Sequence, residues 1–216
     1  MNENIAHSGV WALAIIMIVV ASWVLYRYLA PKTWREWASA GLIQAFIIAL
    51  YAEMYGFPLT IYLLVRFFGL DNVDLNASLW STLLGMGELG MLISMVLGYA
   101  LLFIGIGIFI QGWRELYRAR QQNRLITTGL YRYVRHPQYA GLFLGLFGEG
   151  IVHWPTLFSV AIFPLIVIAY YYLARSEERK VIEQFGDEYR EYQAYVPMFI
   201  PLTGQWRQFI KASKTE

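Results

Sequence analysis

The stretch that decides the fold is residues 129–141, which read Gly-Leu-Tyr-Arg-Tyr-Val-Arg-His-Pro-Gln-Tyr-Ala-Gly. It combines two arginines, a histidine and a proline with three tyrosines, between two apolar segments. Because the chain is 58% hydrophobic and only 15% charged, packing alone does not require a polar cluster there. We expect it to form half of a ligand pocket at a membrane surface, with Glu177 and Glu178 in the other half.

Outside this stretch the apolar residues come in blocks. Average soluble domains carry about 25% charged residues, whereas this chain of 216 residues carries 15%. A helix needs about 20 apolar residues to cross the ~30 Å hydrocarbon core of a bilayer. The blocks therefore predict an all-α, polytopic membrane protein with about five transmembrane helices. The predicted spans are residues 10–29, 42–68, 83–113, 138–152 and 156–174.

Glycine and proline residues mark where these helices bend or end. Gly56 and Pro58 lie within the second span, where a proline removes a backbone hydrogen bond and kinks a helix. A tight turn at residues 153–155 predicts that spans 4 and 5 form a helical hairpin. Span 5 continues as a charged helix, which Gly186 is expected to end as a C-cap residue. The glycines of span 3 predict close contacts with another helix.

The basic residues predict the orientation in the membrane. Of the 17 lysines and arginines, 16 fall in residues 27–37, 114–136 and 175–216, and only Arg66 lies elsewhere. Loops rich in Lys and Arg stay on the cytoplasmic side. We therefore expect the N-terminus outside, and the C-terminus and the polar stretch on the cytoplasmic face.

Glu177 and Glu178 are the first candidates for chemistry. Neighbouring residues on a helix point about 100° apart, so one carboxylate can face a pocket while the other pairs with Arg175 or Arg179. The pocket carboxylate would bind hydroxyls or an ammonium group of a cofactor. The alternative is that both belong to a solvated helix end.

His136 and Pro137 are the second candidates. Proline is favoured in a first helical turn, so Pro137 is expected to begin a helix with His136 at its N-terminal end. Free backbone N–H groups there suit a carboxylate or another acceptor. From the residues alone, His136 fits a structural hydrogen bond as well as a catalytic role. Arginines beside a span fit topology signals and lipid anchors.

Acidic residues inside the predicted spans are the third group. Charges in hydrocarbon are costly and mark either function or a buried pair. Glu53 lies beside the predicted kink, where it could bind a substrate or satisfy a helix interface. Glu88 and Glu149 are expected near the outer surface, and His7 and His153 at the protein surface. With no cysteine and three scattered histidines, no metal site is expected.

Two motifs carry a resemblance to a known family. The first is Leu125-Ile126-Thr127-Thr128-Gly129-x-Tyr131-x-x-x-Arg135-His136-Pro137-x-Tyr139-x-Gly141. The second is Glu177-Glu178, then Phe185-Gly186-x-x-Tyr189-x-x-Tyr192, with Pro197 and Pro201 after it. Together they resemble the isoprenylcysteine carboxyl methyltransferase family, whose superfamily also includes phospholipid N-methyltransferases. Order and spacing agree over residues 113–201.

The resemblance implies S-adenosylmethionine as cofactor, in a pocket lined by the span 4–5 hairpin and capped by a cytoplasmic C-terminal segment. It implies cofactor contacts from Leu125, Ile126, Tyr131, His136, Pro137, Tyr139, Glu177 and Glu178. The candidate catalytic residues are His136, Arg135 and Glu53. Gly105 and Gly107 correspond to a glycine pair proposed for cofactor binding in the phospholipid enzymes. A single domain over 1–216 is expected, with spans 1–3 in 1–112, the cofactor-binding catalytic region in 113–201 and a tail in 202–216.

One departure from the family bears on the substrate. In the prenylcysteine enzymes an arginine four residues before the first glutamate contacts the substrate carboxylate, and here that position is Leu173. Tyr195 likewise replaces an arginine before Val-Pro. These changes argue against prenylcysteine as the acceptor. The sequence therefore predicts a membrane methyltransferase for a lipophilic or small thiol, amine or carboxylate, with membrane lipids as partners and neither nucleic acid nor metal.

Two other functions stay open at this point. The first is a sterol-reductase-like membrane reductase, in which the arginines of residues 114–135 would hold the extra phosphate of NADPH. The second is a membrane scaffold or small transporter that keeps the motifs for structure. In the latter, Glu53 would be the candidate acid on a transport pathway.

Overall fold

The computed structural model describes residues 15–23, 27, 34–55, 59–68, 80 and 85–212. Most of these residues are helical and none lies in a strand, which confirms the all-α prediction for this part of the chain. The elements are α1 (Trp34–Tyr55), α2 (Leu59–Phe68), α3 (Gly87–Gln121), a 3₁₀ turn (Gly129–Arg132), α4 (Pro137–Phe147), a π-helix (Gly148–His153), α5 (Leu157–Phe185), α6 (Asp187–Tyr195) and α7 (Trp206–Ala212).

Three of the described helices contain a stretch that is long and apolar enough to cross a membrane. They are Trp37–Met54 within α1, the 35 residues of α3 and the 29 residues of α5. Long apolar side chains on α3, such as Leu92, Val96 and Phe103, are exposed, which suits lipid better than water. The chain is therefore an integral membrane protein.

The remaining predicted spans are covered only in part. Residues 15–23 of the predicted first span are helical, and most of its other residues lie outside the described ranges. The predicted kink at Gly56 and Pro58 also lies outside them, between α1 and α2. The predicted fourth span corresponds to the 11 residues of α4 followed by the 6 residues of the π-helix.

The chain divides into two compact units, of which the first comprises Met1–Tyr99 and Glu149–Ala169. Within its described residues, Glu53 Oε2 accepts a hydrogen bond from the backbone N–H of Thr60 at 2.9 Å. The hydroxyl oxygen of Thr60 accepts one from the N–H of Leu157, also at 2.9 Å. Glu53 thus satisfies an N–H in the first turn of α2, where a negative charge is also attracted to the positive end of the helix dipole.

The same unit contains a buried histidine–glutamate pair, although the sequence predicts a surface position for the histidine. His153 and Glu149 are both buried, and His153 Nδ1 lies 3.2 Å from Glu149 Oε2. The expectation of a surface His153 is therefore wrong, because the π-helix turns the two side chains to one side and the ring packs against Tyr99 at 4.5 Å. His7 lies outside the described residues, and Glu88 is exposed.

The second unit comprises Ala100–Gly148 and Tyr170–Glu216. In it, α3 crosses α4 at Gly105, where an added Cβ would lie 2.5 Å from Gly145 N and 2.6 Å from Gly141 O. This contact confirms that glycines of the third span allow close helix packing. Nothing lies within 4 Å of a Cβ built on Gly107, so the two glycines do not act as a pair in packing.

The core of the second unit joins the polar stretch to the C-terminus. Ile108 of α3, Leu130 of the 3₁₀ turn, Val134 and Phe209 of α7 are fully or almost fully buried against one another. Burial of such side chains contributes about 1.5–3 kcal/mol each. This packing keeps the backbone of residues 130–134 in place, immediately before the candidate site.

Candidate functional site

The start of α4 follows the local signals of the sequence. Pro137 is the first residue of the helix and His136 its N-cap, as predicted. The carbonyl of His136 accepts hydrogen bonds from the N–H groups of Tyr139 at 3.1 Å and Ala140 at 3.0 Å. The side chains of His136 and Tyr139 therefore both project from the first turn of α4. Their rings lie parallel, with centroids 5.5 Å apart.

A buried ion pair joins this turn to α5. Arg135 Nε donates to Glu178 Oε1 at 2.7 Å, and the Glu178 side chain is only 2% exposed. Gln193 of α6 donates to the second oxygen, Oε2, at 2.9 Å. Buried charges are tolerated where the counter-charge and further hydrogen bonds satisfy them. Glu178 meets this condition through two separate segments of the chain.

One of the two glutamates is expected to pair with Arg175 or Arg179, but Glu178 pairs with Arg135 instead. Arg175 and Arg179 are exposed, whereas Leu173, Ala174 and Glu178 are buried. The buried face of α5 carries Glu178 away from its basic neighbours and towards Arg135. Packing of that face, and not proximity along the chain, selects the ion-pair partner.

His136 lies between the two glutamates. Its Nε2 is 3.3 Å from Glu178 Oε1, and its Nδ1 is 3.7 Å from Glu177 Oε2. Glu177 also accepts a hydrogen bond from the Tyr139 hydroxyl at 2.9 Å. The Glu177 side chain keeps 35% of its surface exposed, so a ligand can reach it. Glu177 and Glu178 thus differ: one is accessible and the other is enclosed.

Aromatic rings surround this polar centre. Tyr139 meets Tyr170 edge-on at 4.9 Å, and Phe143 meets Tyr170 at 6.0 Å. Phe199 packs against both Phe143, at 5.2 Å, and His136, at 6.0 Å. The ring faces are electron-rich, which favours a positively charged ligand group near them.

Residues 196–199, which we call the C-terminal strap, are tied to the polar stretch through the backbone. The N–H of Arg135 donates to Pro197 O at 2.9 Å, and that of His136 donates to Met198 O at 3.0 Å. The guanidinium of Arg135 also donates to the carbonyls of Val196 and Gln193. Arg135 therefore connects the strap to Glu178 through its Nε and Nη1 atoms.

The other predicted contact residues lie just before this network. The Tyr131 hydroxyl donates to Gln138 Oε1 at 3.0 Å, and the Tyr131 carbonyl accepts from the Tyr192 hydroxyl at 2.6 Å. Burial raises the pKa of Tyr192 well above its usual value, so its hydroxyl keeps the proton that it donates. Ile126 packs against Tyr131, and Leu125 is half-buried. Pro137 is fully buried at the helix start.

Glu53 is the third predicted catalytic residue. It belongs to the first unit, where its hydrogen bond to Thr60 gives it a capping role at α2. Its second oxygen, Oε1, is buried without a hydrogen bond. Within the described ranges, no three His, Asp or Glu side chains gather as ligands for a metal ion.

Sequence reasoning missed Gln193 and Phe199, which contact Glu178 and His136. Both follow the Tyr189-x-x-Tyr192 motif, so their position after that motif was an available signal. It also missed Glu115, whose carboxylate accepts from the N–H of Leu130. An acidic residue among the basic residues at the end of an apolar helix was the signal there.

Known proteins resemble the chain mainly over the region that contains the site. The model of the isoprenylcysteine carboxyl methyltransferase family matches residues 91–183. The protein-S-isoprenylcysteine O-methyltransferase of Schizosaccharomyces pombe is 33% identical over 86 residues, which are 39% of this chain and 36% of that protein. Methanethiol S-methyltransferase 1 of Bradyrhizobium diazoefficiens is 34% identical over 87 residues, 40% of this chain and 28% of that protein.

One relative matches over a longer region. The methanethiol S-methyltransferase of Pseudomonas deceptionensis is 23% identical over 209 residues, which are 88% of this chain and 74% of that protein. The first two relatives are covered over only about a third of their length. No solved structure matches the chain significantly. The motif spacing, the family match and these relatives agree that residues 91–183 of the chain are similar to the isoprenylcysteine carboxyl methyltransferase family.

Proposed function

We propose that the protein is an S-adenosylmethionine-dependent membrane methyltransferase that acts on a small or lipophilic thiol. The observation that carries this proposal is the position of His136 between the accessible Glu177 and the enclosed Glu178, beside an aromatic cluster. The names of the matched relatives support methyl transfer as the reaction. The finding is the similarity of residues 91–183 to the family, and both membership of that family and the activity are proposed.

The side chains of the candidate site suit the chemical groups of S-adenosylmethionine. S-adenosylmethionine supplies a methyl group already activated on a sulfonium, so the protein mainly has to align the reactants. Alignment alone lowers barriers by roughly 7–11 kcal/mol in well-oriented systems. Glu177 is an accessible acceptor for an ammonium or ribose hydroxyls, and the rings of Tyr139, Tyr170 and Phe199 would favour the sulfonium charge.

The candidate residues then take different roles. We propose that Glu177 and Tyr139 touch the cofactor. His136 would orient Glu177 through Nδ1, while its Nε2 faces Glu178. Arg135 would hold Glu178 and the C-terminal strap in place, because its Nε donates to Glu178 and its Nη1 donates to the carbonyls of Gln193 and Val196. The strap would cover the cofactor while its backbone stays paired with residues 135–136.

The acceptor proposal rests on Leu173 and on the relatives. Leu173 lies one helical turn before Glu177 and is only 7% exposed, so this face of α5 offers no cation to a substrate carboxylate. Arg175 is exposed on another face. The match over 88% of this chain is to an enzyme named for methanethiol. Amines and carboxylates are therefore weaker candidates than a neutral thiol.

We also propose the membrane topology from the sequence: five spans, a span 4–5 hairpin, an outer N-terminus and a cytoplasmic site. The contact between Tyr139, near the start of α4, and Glu177, near the end of α5, is what an antiparallel hairpin requires. The distribution of 16 of the 17 basic residues supports the orientation.

The proposal is tested by calorimetric titration of the purified, detergent-solubilised chain with S-adenosylmethionine. We expect saturable binding that Glu177→Gln weakens about tenfold or more, the cost of one hydrogen bond to a charged group. Glu183→Gln is the matched control, because Glu183 is exposed two turns further along the same helix. Equal loss in both variants would contradict the assigned site.

Two further arms identify the reaction. Stabilisation by NADPH but not by S-adenosylmethionine in thermal unfolding would replace the proposal with a reductase. With labelled S-adenosylmethionine, transfer to methanethiol or to a longer alkane thiol is expected, and transfer to a prenylcysteine carboxylate is not. Label on the carboxylate alone would overturn the acceptor proposal.

A further inference from the structure

Glu115 is a half-buried carboxylate on α3 whose two oxygens both have partners. Its Oε1 accepts from Gln111 Nε2 at 3.1 Å, one turn earlier on the same helix. Its Oε2 accepts a hydrogen bond from the backbone N–H of Leu130, 15 positions later in the chain, at 3.0 Å. The first bond holds the carboxylate on the helix, and the second ties the 3₁₀ turn to it.

Gly129 is matched to this carboxylate in two ways. Its φ is +63°, a conformation that glycine adopts at little cost. A Cβ added at Gly129 would also collide with all three atoms of the Glu115 carboxylate group. Glycine therefore lets the carboxylate reach the N–H of the next residue, Leu130.

The face of α3 that carries Glu115 continues to the loop. Ala119 lies one turn beyond Glu115 and packs against Ile126 and Tyr131 in one buried cluster. Gln111, Glu115 and Ala119 are spaced by four residues and so share one helix face. Residues 126–131 thus contact this face at both ends, through an apolar contact and through a hydrogen bond.

We infer that Glu115 is a positioning residue for the cofactor, because it holds the segment 125–131 that carries Leu125, Ile126 and Tyr131. This inference rests on the proposed function, and on the cofactor contacts that the family resemblance implies for those three residues. Glu115 acts through Leu130 and Gly129 and does not itself touch the reacting atoms. A displaced segment would weaken cofactor binding more than it would slow methyl transfer.

The test compares Glu115→Ala and Glu115→Gln with Glu88→Ala, an exposed acid on the same helix. We expect Glu115→Ala to raise KM for S-adenosylmethionine about tenfold, equivalent to about 1.4 kcal/mol, with kcat changed less than about twofold. Glu115→Gln keeps an acceptor oxygen, so an increase of about threefold or less is expected. Glu88→Ala should match the wild type.

A double-mutant cycle adds a readout that a general loss of stability would not give. Gly129→Ala should raise KM strongly in the wild type and much less when Glu115 is already alanine, because the clash with the carboxylate is gone. Additive effects of the two substitutions would overturn the inference. So would an unchanged KM in Glu115→Ala protein that binds the cofactor.

Hydrogen exchange separates this inference from the proposed function. In the apo protein the Leu130 amide should exchange about tenfold faster in Glu115→Ala than in the wild type, whatever the cofactor is. If the wild type binds no S-adenosylmethionine, the proposed function fails, but this assay still measures the hydrogen bond between Leu130 and Glu115. If exchange at the Leu130 amide does not change, that hydrogen bond does not hold the segment, even where the wild type binds the cofactor.

Discussion

Each unit of the protein contains a buried histidine beside a glutamate, and the two pairs are built differently. His136 and Glu178 lie 3.3 Å apart, and His153 and Glu149 lie 3.2 Å apart. Glu178 is also bonded to Arg135 and to Gln193, which come from two other segments. In the other pair, His153 Nδ1 and Glu149 Oε2 are buried without an aligned hydrogen bond.

The difference shows what makes a polar cluster a candidate site. A short Glu–His distance occurs in both units and so does not distinguish them. The cluster in the second unit has a compensating cation, satisfied oxygens and a second carboxylate, Glu177, that a ligand can reach. The pair in the first unit lies within one π-helix, four residues apart, and its nearest ring contact is Tyr99.

The largest effect is expected from Arg135→Ala. It removes the counter-charge of Glu178 and two side-chain bonds to the carbonyls of Gln193 and Val196. Breaking a buried pair costs about 3–5 kcal/mol, which corresponds to a fall in the thermal midpoint of about 10 °C. Thermal unfolding in detergent measures it.

Arg190→Ala is the control for that experiment. Arg190 pairs with Asp187 at 2.6 Å, but both side chains are exposed, so a cost of about 0–1 kcal/mol is expected. If the two arginine variants unfold at the same temperature, the Arg135–Glu178 pair does not organise the second unit. The contrast between the two clusters would then lose its basis.

A smaller effect on stability is expected from adding a methyl group at one closely packed glycine in each unit. In the second unit, the Cβ of Gly105→Ala would meet backbone atoms of α4, which cannot move aside independently. In the first unit, the Cβ of Gly150→Ala would meet the ring of Phe46, which is a side chain and not backbone. Overpacking costs about 1–3 kcal/mol, and we expect Gly105→Ala near the upper value and Gly150→Ala near the lower.

Thermal unfolding of the two alanine variants, with Gly107→Ala as the control, tests that ranking. Nothing lies within 4 Å of a Cβ at Gly107, so its midpoint should not fall. Equal losses at Gly105 and Gly107 would mean that the crossing of α3 and α4 is looser than the structure indicates. Loss of cofactor binding in Gly107→Ala at an unchanged midpoint would instead support a role for this glycine in the ligand site.

The smallest effect is expected from removing the pair of the first unit. The double variant Glu149→Gln, His153→Gln keeps the approximate size and removes both ionisable groups. Replacing both partners of a buried interaction is often close to neutral, so a change below about 1 kcal/mol is expected. Binding of S-adenosylmethionine, measured by calorimetry, should stay within about twofold of the wild type. A tenfold loss would show that the two clusters serve one function.

Local patterns along the chain suffice to predict the helices and several of their ends. Apolar blocks predicted the helices that are long enough to cross a membrane, and Pro137 predicted the start of α4. Gly186 predicted the end of α5 at Phe185, and the φ of Gly186 is +59°. These features follow from hydropathy and backbone sterics over a few residues, and a linear pattern contains that information. The two motifs also predicted that His136 and Glu177 are neighbours, and His136 Nδ1 lies 3.7 Å from Glu177 Oε2.

Only the tertiary structure decided which charges meet. Arg175 and Arg179 are nearest to Glu178 along the chain, yet its partner is Arg135, 43 residues away. Burial of His153, and the bond from Leu130 to Glu115, were equally hidden in the sequence. The reason is that a helix has several faces of similar composition near its end. Which face becomes buried depends on the packing of helices far apart in sequence, and that packing sets the charge partners.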